Sequence, residues 1–169
     1  EDVVGNKSNS SAHRTLFVDN TSPENFNLTS PKHNSWTRNN KPLFQWERSR
    51  DLDSGLGKYE LFIDDIKIIE NISPESNFVE LDSTIALAEG SHSWYVNAVD
   101  IVGNVRQSTQ INLLNVDLTP PESFQLFSPS DSTFSALPTP NFIWNKSSDK
   151  QSDLSHYSLW IDDILSVDN

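Results

Sequence analysis

The chain repeats itself every 98 residues, with the same spacing through loops and strands alike. Val18-Asp19-Asn20-Thr21-Ser22-Pro23-Glu24 returns as Val116-Asp117-Leu118-Thr119-Pro120-Pro121-Glu122. Tyr59-Glu60-Leu61-Phe62-Ile63-Asp64-Asp65-Ile66 returns as Tyr157-Ser158-Leu159-Trp160-Ile161-Asp162-Asp163-Ile164. Asp2, Gly5 and Asn6 return as Asp100, Gly103 and Asn104. A constant period through loops implies duplicated units in a row, and a period of this length is that of a small domain rather than a thin solenoid coil. The expected division is therefore 1–17 as the end of one unit, 18–116 as a full unit and 117–169 as the first half of the next. On that division the polypeptide is expected to continue past Asn169, or neighbouring subunits complete the halves.

Within one unit, short strand patterns alternate with turn residues and no long helical period appears, which is an all-β sandwich pattern. Phe44 and Trp46 share one strand face, as do Phe142 and Trp144. Tyr59, Leu61 and Ile63 form an inward set, leaving Glu60, Phe62 and Asp64 outward. Ser91–Val99 reads as a long strand with His92, Trp94, Val96 and Ala98 on one side. Ile101–Val105 reads as a turn, Thr109–Val116 as the closing strand, and Trp36 as a loop residue that covers the end of the sandwich or touches the adjacent unit.

A net charge of −12 favours solubility and argues against nucleic acid, which needs a basic footprint. No Cys is present, which removes disulfides, thiol chemistry and zinc thiolate sites. No apolar stretch reaches the length of a membrane span.

The run Leu87-Ala88-Glu89-Gly90-Ser91-His92-Ser93-Trp94-Tyr95-Val96-Asn97-Ala98-Val99-Asp100, followed by Gly103-Asn104, resembles the late strands of fibronectin type III-like and bacterial immunoglobulin-like repeats. The Asp-x-Thr-x-Pro junctions (Asp19, Thr21, Pro23; Asp117, Thr119, Pro121) are similar to linkers between such repeats in bacterial and archaeal surface proteins. The resemblance implies tandem immunoglobulin-like or fibronectin type III-like sandwiches in an extracellular setting. It also implies that His92 stands where those domains place the Tyr of the tyrosine corner, so that the corner hydrogen bond is changed or lost.

Few residues offer chemistry. Of His13, His33, His92 and His156, only His92 falls on a predicted core face, and it reads as a structural histidine. No phosphate loop, zincin motif or nucleophile elbow is present, so no catalytic residue is expected. Calcium is the one metal considered, since Asp51 and Asp53 alternate before the third strand, with Asp149 and Asp153 in the second copy. A second arrangement has Asp19 or Asp117 meeting Asp100 or the Asp64–Asp65 turn. The plainer alternative has these aspartates bonding nearby backbone N–H groups. Asn-x-Ser/Thr triplets mark Asn6, Asn9, Asn20, Asn27, Asn71 and Asn145 as glycosylation candidates, with Asn27 expected to face outward. Phe62, Tyr95 and Trp160 are outward aromatics, either cross-strand pairs or contacts with neighbouring chains or sugars.

The expected function is non-enzymatic: a structural or adhesive extracellular segment forming a stalk, fibre or surface layer, with adjacent repeats or copies of the same chain as partners. The alternative is a carbohydrate-binding or spacer module of a larger secreted enzyme. Stiff Pro-containing junctions suit the first.

Overall fold

The computed structural model describes residues 2–8, 12 and 14–168. The described residues form thirteen strands and no helix. In chain order the first nine are β1 (Leu28–Ser30), β2 (Ser35–Thr37), β3 (Leu43–Trp46), β4 (Leu56–Ile63), β5 (Ile66–Ile72), β6 (Phe78–Glu80), β7 (Gly90–Asp100), β8 (Val105–Gln107) and β9 (Asn112–Val116). The last four are β10 (Leu126–Ser128), β11 (Ile143–Trp144), β12 (Ser158–Ile161) and β13 (Ile164–Asp168).

Strands β1, β3 and β6 make one antiparallel sheet, in the order β1-β3-β6. A larger sheet runs β2-β9-β7-β4-β5, with β8 paired to β7. The two layers share one apolar core, an arrangement consistent with a β-sandwich. Period-2 alternation decides which side chains enter it. Phe44 and Trp46 of β3 meet Tyr59, Leu61 and Ile63 of β4 and Trp94, Val96 and Ala98 of β7, all buried. Phe44 packs edge-on against Trp94 at 4.9 Å, a geometry that suits the aromatic quadrupole. Phe26 is as deeply buried as these, although it precedes β1 rather than lying within it.

Three local expectations are corrected. Trp36 lies in a strand, not a loop: β2 crosses to the larger sheet and pairs in parallel with β9, Trp36 opposite Asn115. The turn after β7 is shorter than expected, because Val105 to Gln107 fold back as β8 onto Asn97–Val99. Glu60 does point outward, yet it is only 7% exposed, because Lys58 (2.9 Å) and Lys67 (3.0 Å) close over its carboxylate.

Residues 117–168 hold two small sheets, β10-β11 and β12-β13. Leu126 pairs with Trp144 as Leu28 pairs with Trp46. Here the apolar face is open: Phe124 is 43% and Leu126 74% exposed, against 1% for Phe26 and 9% for Leu28. The cause is topological. Nothing among residues 117–168 occupies the place that β7 and β9 take over Phe26 and Tyr59.

The core predicts its own mutational cost. Trp94→Ala should destabilise residues 18–116 by about 3–5 kcal/mol, the range for emptying a large aromatic site. Trp36→Ala, at a half-exposed edge position, should cost less than about 1 kcal/mol. Urea unfolding followed by far-UV circular dichroism measures both.

Candidate functional site

The densest polar arrangement lies where β4 begins and β7 ends, since Leu56 pairs with Asp100. Asp51 Oδ1 accepts the backbone N–H groups of Asp53 (3.1 Å), Ser54 (2.9 Å) and Gly55 (2.9 Å). Asp100 Oδ1 likewise accepts those of Val102 (3.0 Å), Gly103 (2.6 Å) and Asn104 (2.8 Å), and Asp100 Oδ2 takes the Asn104 amide at 2.7 Å. Asp19 comes in from the linker, accepting Thr21 N–H (2.9 Å) and Ser54 N–H (3.0 Å). One carboxylate oxygen from each of the three lies within 4.8 Å of the others. Gly57 permits the close approach of β4 to this turn, because a Cβ there would stand 2.8 Å from the Asp100 carbonyl oxygen.

The acidic grouping is therefore Asp19, Asp51 and Asp100. Asp53 is not in the grouping: it enters through its backbone N–H, and its side chain is exposed. Asp153 lies outside this grouping. It holds a left-handed conformation (φ 64°) at the position where the first copy has Gly55 (φ 86°). Asp149 repeats the Asp51 cap, accepting the N–H groups of Gln151 and Ser152 at 2.9 Å. Asp64 sits at the opposite end of β4, where His92 and Ser93 hold its carboxylate. Three carboxylates suit a hard cation in donor chemistry, but most of their oxygens already cap turns, as the plainer alternative expects. The signal for Asp100 was present in the sequence: Asp2, in the same Asp-x-x-Gly-Asn setting, accepts Val4 N–H at 3.0 Å and Asn6 N–H at 2.9 Å.

His92 is engaged at both ring nitrogens. Nδ1 lies 2.7 Å from Asp64 Oδ2, and Nε2 lies 3.0 Å from the Ala88 carbonyl, four residues upstream. A side-chain bond back to upstream backbone is thus made here, by an imidazole. His33 Nδ1 accepts Leu113 N–H at 3.2 Å, and His156 lies in an exposed loop 3.2 Å from Ser155 Oγ. His13 lies outside the described residues.

Phe62 and Tyr95 are register partners on β4 and β7, stacked at 4.8 Å with a 6° interplanar angle. Lys67, across β5, stands 5.8 Å over the Phe62 ring. Phe62 therefore engages both a ring and a cation. The face that Phe62 turns to Tyr95 is closed to a stacking sugar. Trp160, on β12, is 61% exposed.

The glycosylation candidates separate by what their carboxamides do. Asn27 is only half-exposed: Nδ2 donates to Glu47 at 2.8 Å, and Oδ1 accepts from Thr109 and Gln110. Asn6 Nδ2 donates to Asp2 at 2.7 Å, and Asn145 Oδ1 accepts Gln125 N–H. Asn20, in the linker, and Asn71, near the end of the edge strand β5, are exposed. Asn9 lies outside the described residues.

The linker after β9 is tied to both sides. Asp117 N–H donates to the Thr37 carbonyl at 3.0 Å. The Glu89 carboxylate accepts the Thr119 hydroxyl at 2.7 Å and the Gln151 amide at 2.9 Å. Sequence reading missed Glu89, because its partners lie in the linker and beyond it. Trp36, Arg38, Leu118, Pro120 and Pro121 line a cleft of about 600 Å³ beside these bonds.

No helix among the described residues is long and apolar enough to cross a membrane. No family model matches the chain, and no curated protein matches it.

The linker aspartates predict an acid response. The N–H groups of Thr21 and Ser54 hold Asp19 below its ordinary 3.8. The Ser152 side chain does the same for Asp117, with Thr119 N–H assisting. A depressed folded-state pKa contributes stability above the unfolded value, and that contribution is lost as pH falls through the folded value. The urea midpoint should therefore drop as pH is lowered from 5 towards 2, and Asp19→Asn with Asp117→Asn should flatten that drop.

Proposed function

We propose that this chain is a non-enzymatic structural or adhesive segment of an extracellular protein, built from tandem immunoglobulin-like units of the fibronectin type III kind with a 98-residue repeat. Residues 18–116 are one unit, 117–169 belong to the next, and 1–17 to the one before. Length, stiffness and side contacts constitute the function, in a stalk, fibre or surface layer whose partners are adjacent repeats and copies of the same chain. The observation that carries this reading is the Glu89 bridge to Thr119 and Gln151. A flexible tether has no use for bonds across its joint, whereas a spacer that transmits orientation requires them.

Matched local geometry supports the repeat. Tyr59 Oη accepts Ser49 N–H at 2.7 Å, and Tyr157 Oη accepts Ser147 N–H at the same distance. The turns Asp64-Asp65 and Asp162-Asp163 hold the same left-handed conformations, at φ 51° and 62°, then 50° and 61°. The linkers add Pro at matching positions, which fixes φ and removes backbone donors. Phe62 and Tyr95, turned onto each other, favour the structural reading over a sugar-binding module.

Two measurements test the proposal. Small-angle X-ray scattering should give one extended shape for the chain, and Glu89→Ala should broaden the distance distribution while leaving stability within about 0.5 kcal/mol. A broad flexible ensemble in the unmodified chain would overturn the stiff-array reading. Glycopeptide mapping of native material should find sugar at Asn71 or Asn20 and none at Asn27. Sugar at Asn27 alone would contradict the assignment of its carboxamide to structure.

A further inference from the structure

Both ring nitrogens of His92 face oxygen acceptors, the Asp64 carboxylate at 2.7 Å and the Ala88 carbonyl at 3.0 Å. A neutral imidazole carries a single N–H, so in that state one ring lone pair must face an oxygen lone pair. Only the imidazolium donates to both. The Asp64 side of the clasp is rigid: its Oδ1 accepts Ser93 N–H at 2.9 Å, and its own N–H donates to the Ser93 carbonyl at 2.8 Å. The Ala88 side belongs to a loop, and the next residue in that loop is Glu89, the side chain that bonds Thr119 and Gln151 across the linker.

From this geometry we infer that His92 is a proton-operated latch on the joint: protonated, it clasps the Ala88–Glu89 loop and holds Glu89 against the following segment, and on losing its proton it releases that loop. The inference rests on the jointed-array reading and adds a control to it. It makes joint stiffness a property that pH sets.

The surrounding charges favour the clasped state. The β4–β5 turn brings Asp64 in contact and Asp65 beside it. The loop before β7 carries Asp82, whose carboxylate is taken by Thr84 and Ser83, and Glu89, turned to the linker. Strand β9, which pairs His92 with Leu114, has no charged residue, and Asp117 just beyond it caps Thr119 N–H at 3.0 Å. The turn and the loop thus bring acids, and the nearest cation in this set is Lys41, which acts on Asp82 from the segment whose Asn40 carbonyl accepts Leu87 N–H at 2.9 Å. Burial opposes the imidazolium, but the Asp64 carboxylate and the Ala88 carbonyl outweigh it and raise the pKa above the ordinary 6.5. A raised folded-state pKa gives a contribution complete below 6.5 that disappears as pH rises through the folded value. Between pH 6 and pH 9, Lys58 (held up by Glu60) and Tyr95 (held up by burial) both keep their protons. The nearby imidazole is His33, whose Nδ1 accepts Leu113 N–H at 3.2 Å, so the variant His92→Gln is what assigns the response to His92.

Residual dipolar couplings on the 169-residue chain test the latch, with alignment tensors fitted separately for 18–116 and 117–168, alongside the His92 ring titration by NMR. At pH 6 the two segments should share one tensor, and at pH 9 the shared alignment should be lost. His92→Gln should remove the pH response. Should that variant misfold, Asp64→Asn serves instead, moving the His92 titration and the loss of alignment together to lower pH. Shared alignment at both pH values would overturn the latch and leave the stiff array standing. Independent tensors at both would overturn the two together. An unchanged pH response in His92→Gln, or a His92 titration at or below 6.5 in the unmodified chain, would also overturn the latch.

Discussion

Tyr59 is the side chain on which the rest of the sandwich depends. It projects from β4 of the larger sheet into the smaller layer, where its ring meets Phe26 at 5.8 Å and Trp46 at 5.3 Å. Its hydroxyl then accepts Ser49 N–H, and the Ser49 hydroxyl donates to the Glu24 carbonyl at 2.6 Å. One residue thus joins the two sheets by apolar contact and ties the loop after β3 to the linker before β1. A buried hydroxyl without a partner would cost about 1–3 kcal/mol, so the bond to Ser49 also makes the aromatic burial affordable. The same constellation surrounds Tyr157, with Phe124 at 5.4 Å, Trp144 at 5.5 Å and Ser147 N–H on the hydroxyl. It forms there although the apolar face around it is open, so it is a local device that does not wait for the full core.

From that clamp outward, the two ends of the larger sheet have different tasks. One end gathers Asp19, Asp51 and Asp100, whose carboxylates accept turn N–H groups that no strand partner can satisfy. The other end holds His92, Asp64 and Glu89 beside the linker to the next segment. Between them, β4 and β7 carry the apolar core and, on the outer face, the stacked Phe62–Tyr95 pair under the Lys67 ammonium. The core fixes the fold, while the ends determine how one segment meets the next.

Most of the core was legible in the sequence, for a physical reason. Period-2 alternation placed Tyr59, Leu61, Ile63, Trp94, Val96 and Ala98 on inner faces, and all are buried. Strand β2 was not legible: three residues carry too little pattern, and the parallel partner that makes Trp36 a strand residue lies in β9. The burial of Glu60 was missed because alternation reports direction and not the long lysine side chains that cover a carboxylate. The acidic grouping was half legible. Asp51 and its copy Asp149 stood out by spacing, but Asp19 and Asp100 join Asp51 only through the pairing of β4 with β7. His92 read as a structural histidine, and the significance of its bonds depends on Glu89, whose partners no local pattern connects to it.

The most direct test of this account is amide hydrogen exchange in Tyr59→Phe and Tyr157→Phe, which remove one oxygen each and leave the rings in place. The Ser49 amide should lose its protection in the first variant and the Ser147 amide in the second, each without the other, if one tyrosine-centred clamp is used twice along the chain. Unchanged protection at both amides would contradict that claim and leave the sheets to be held by apolar contact alone.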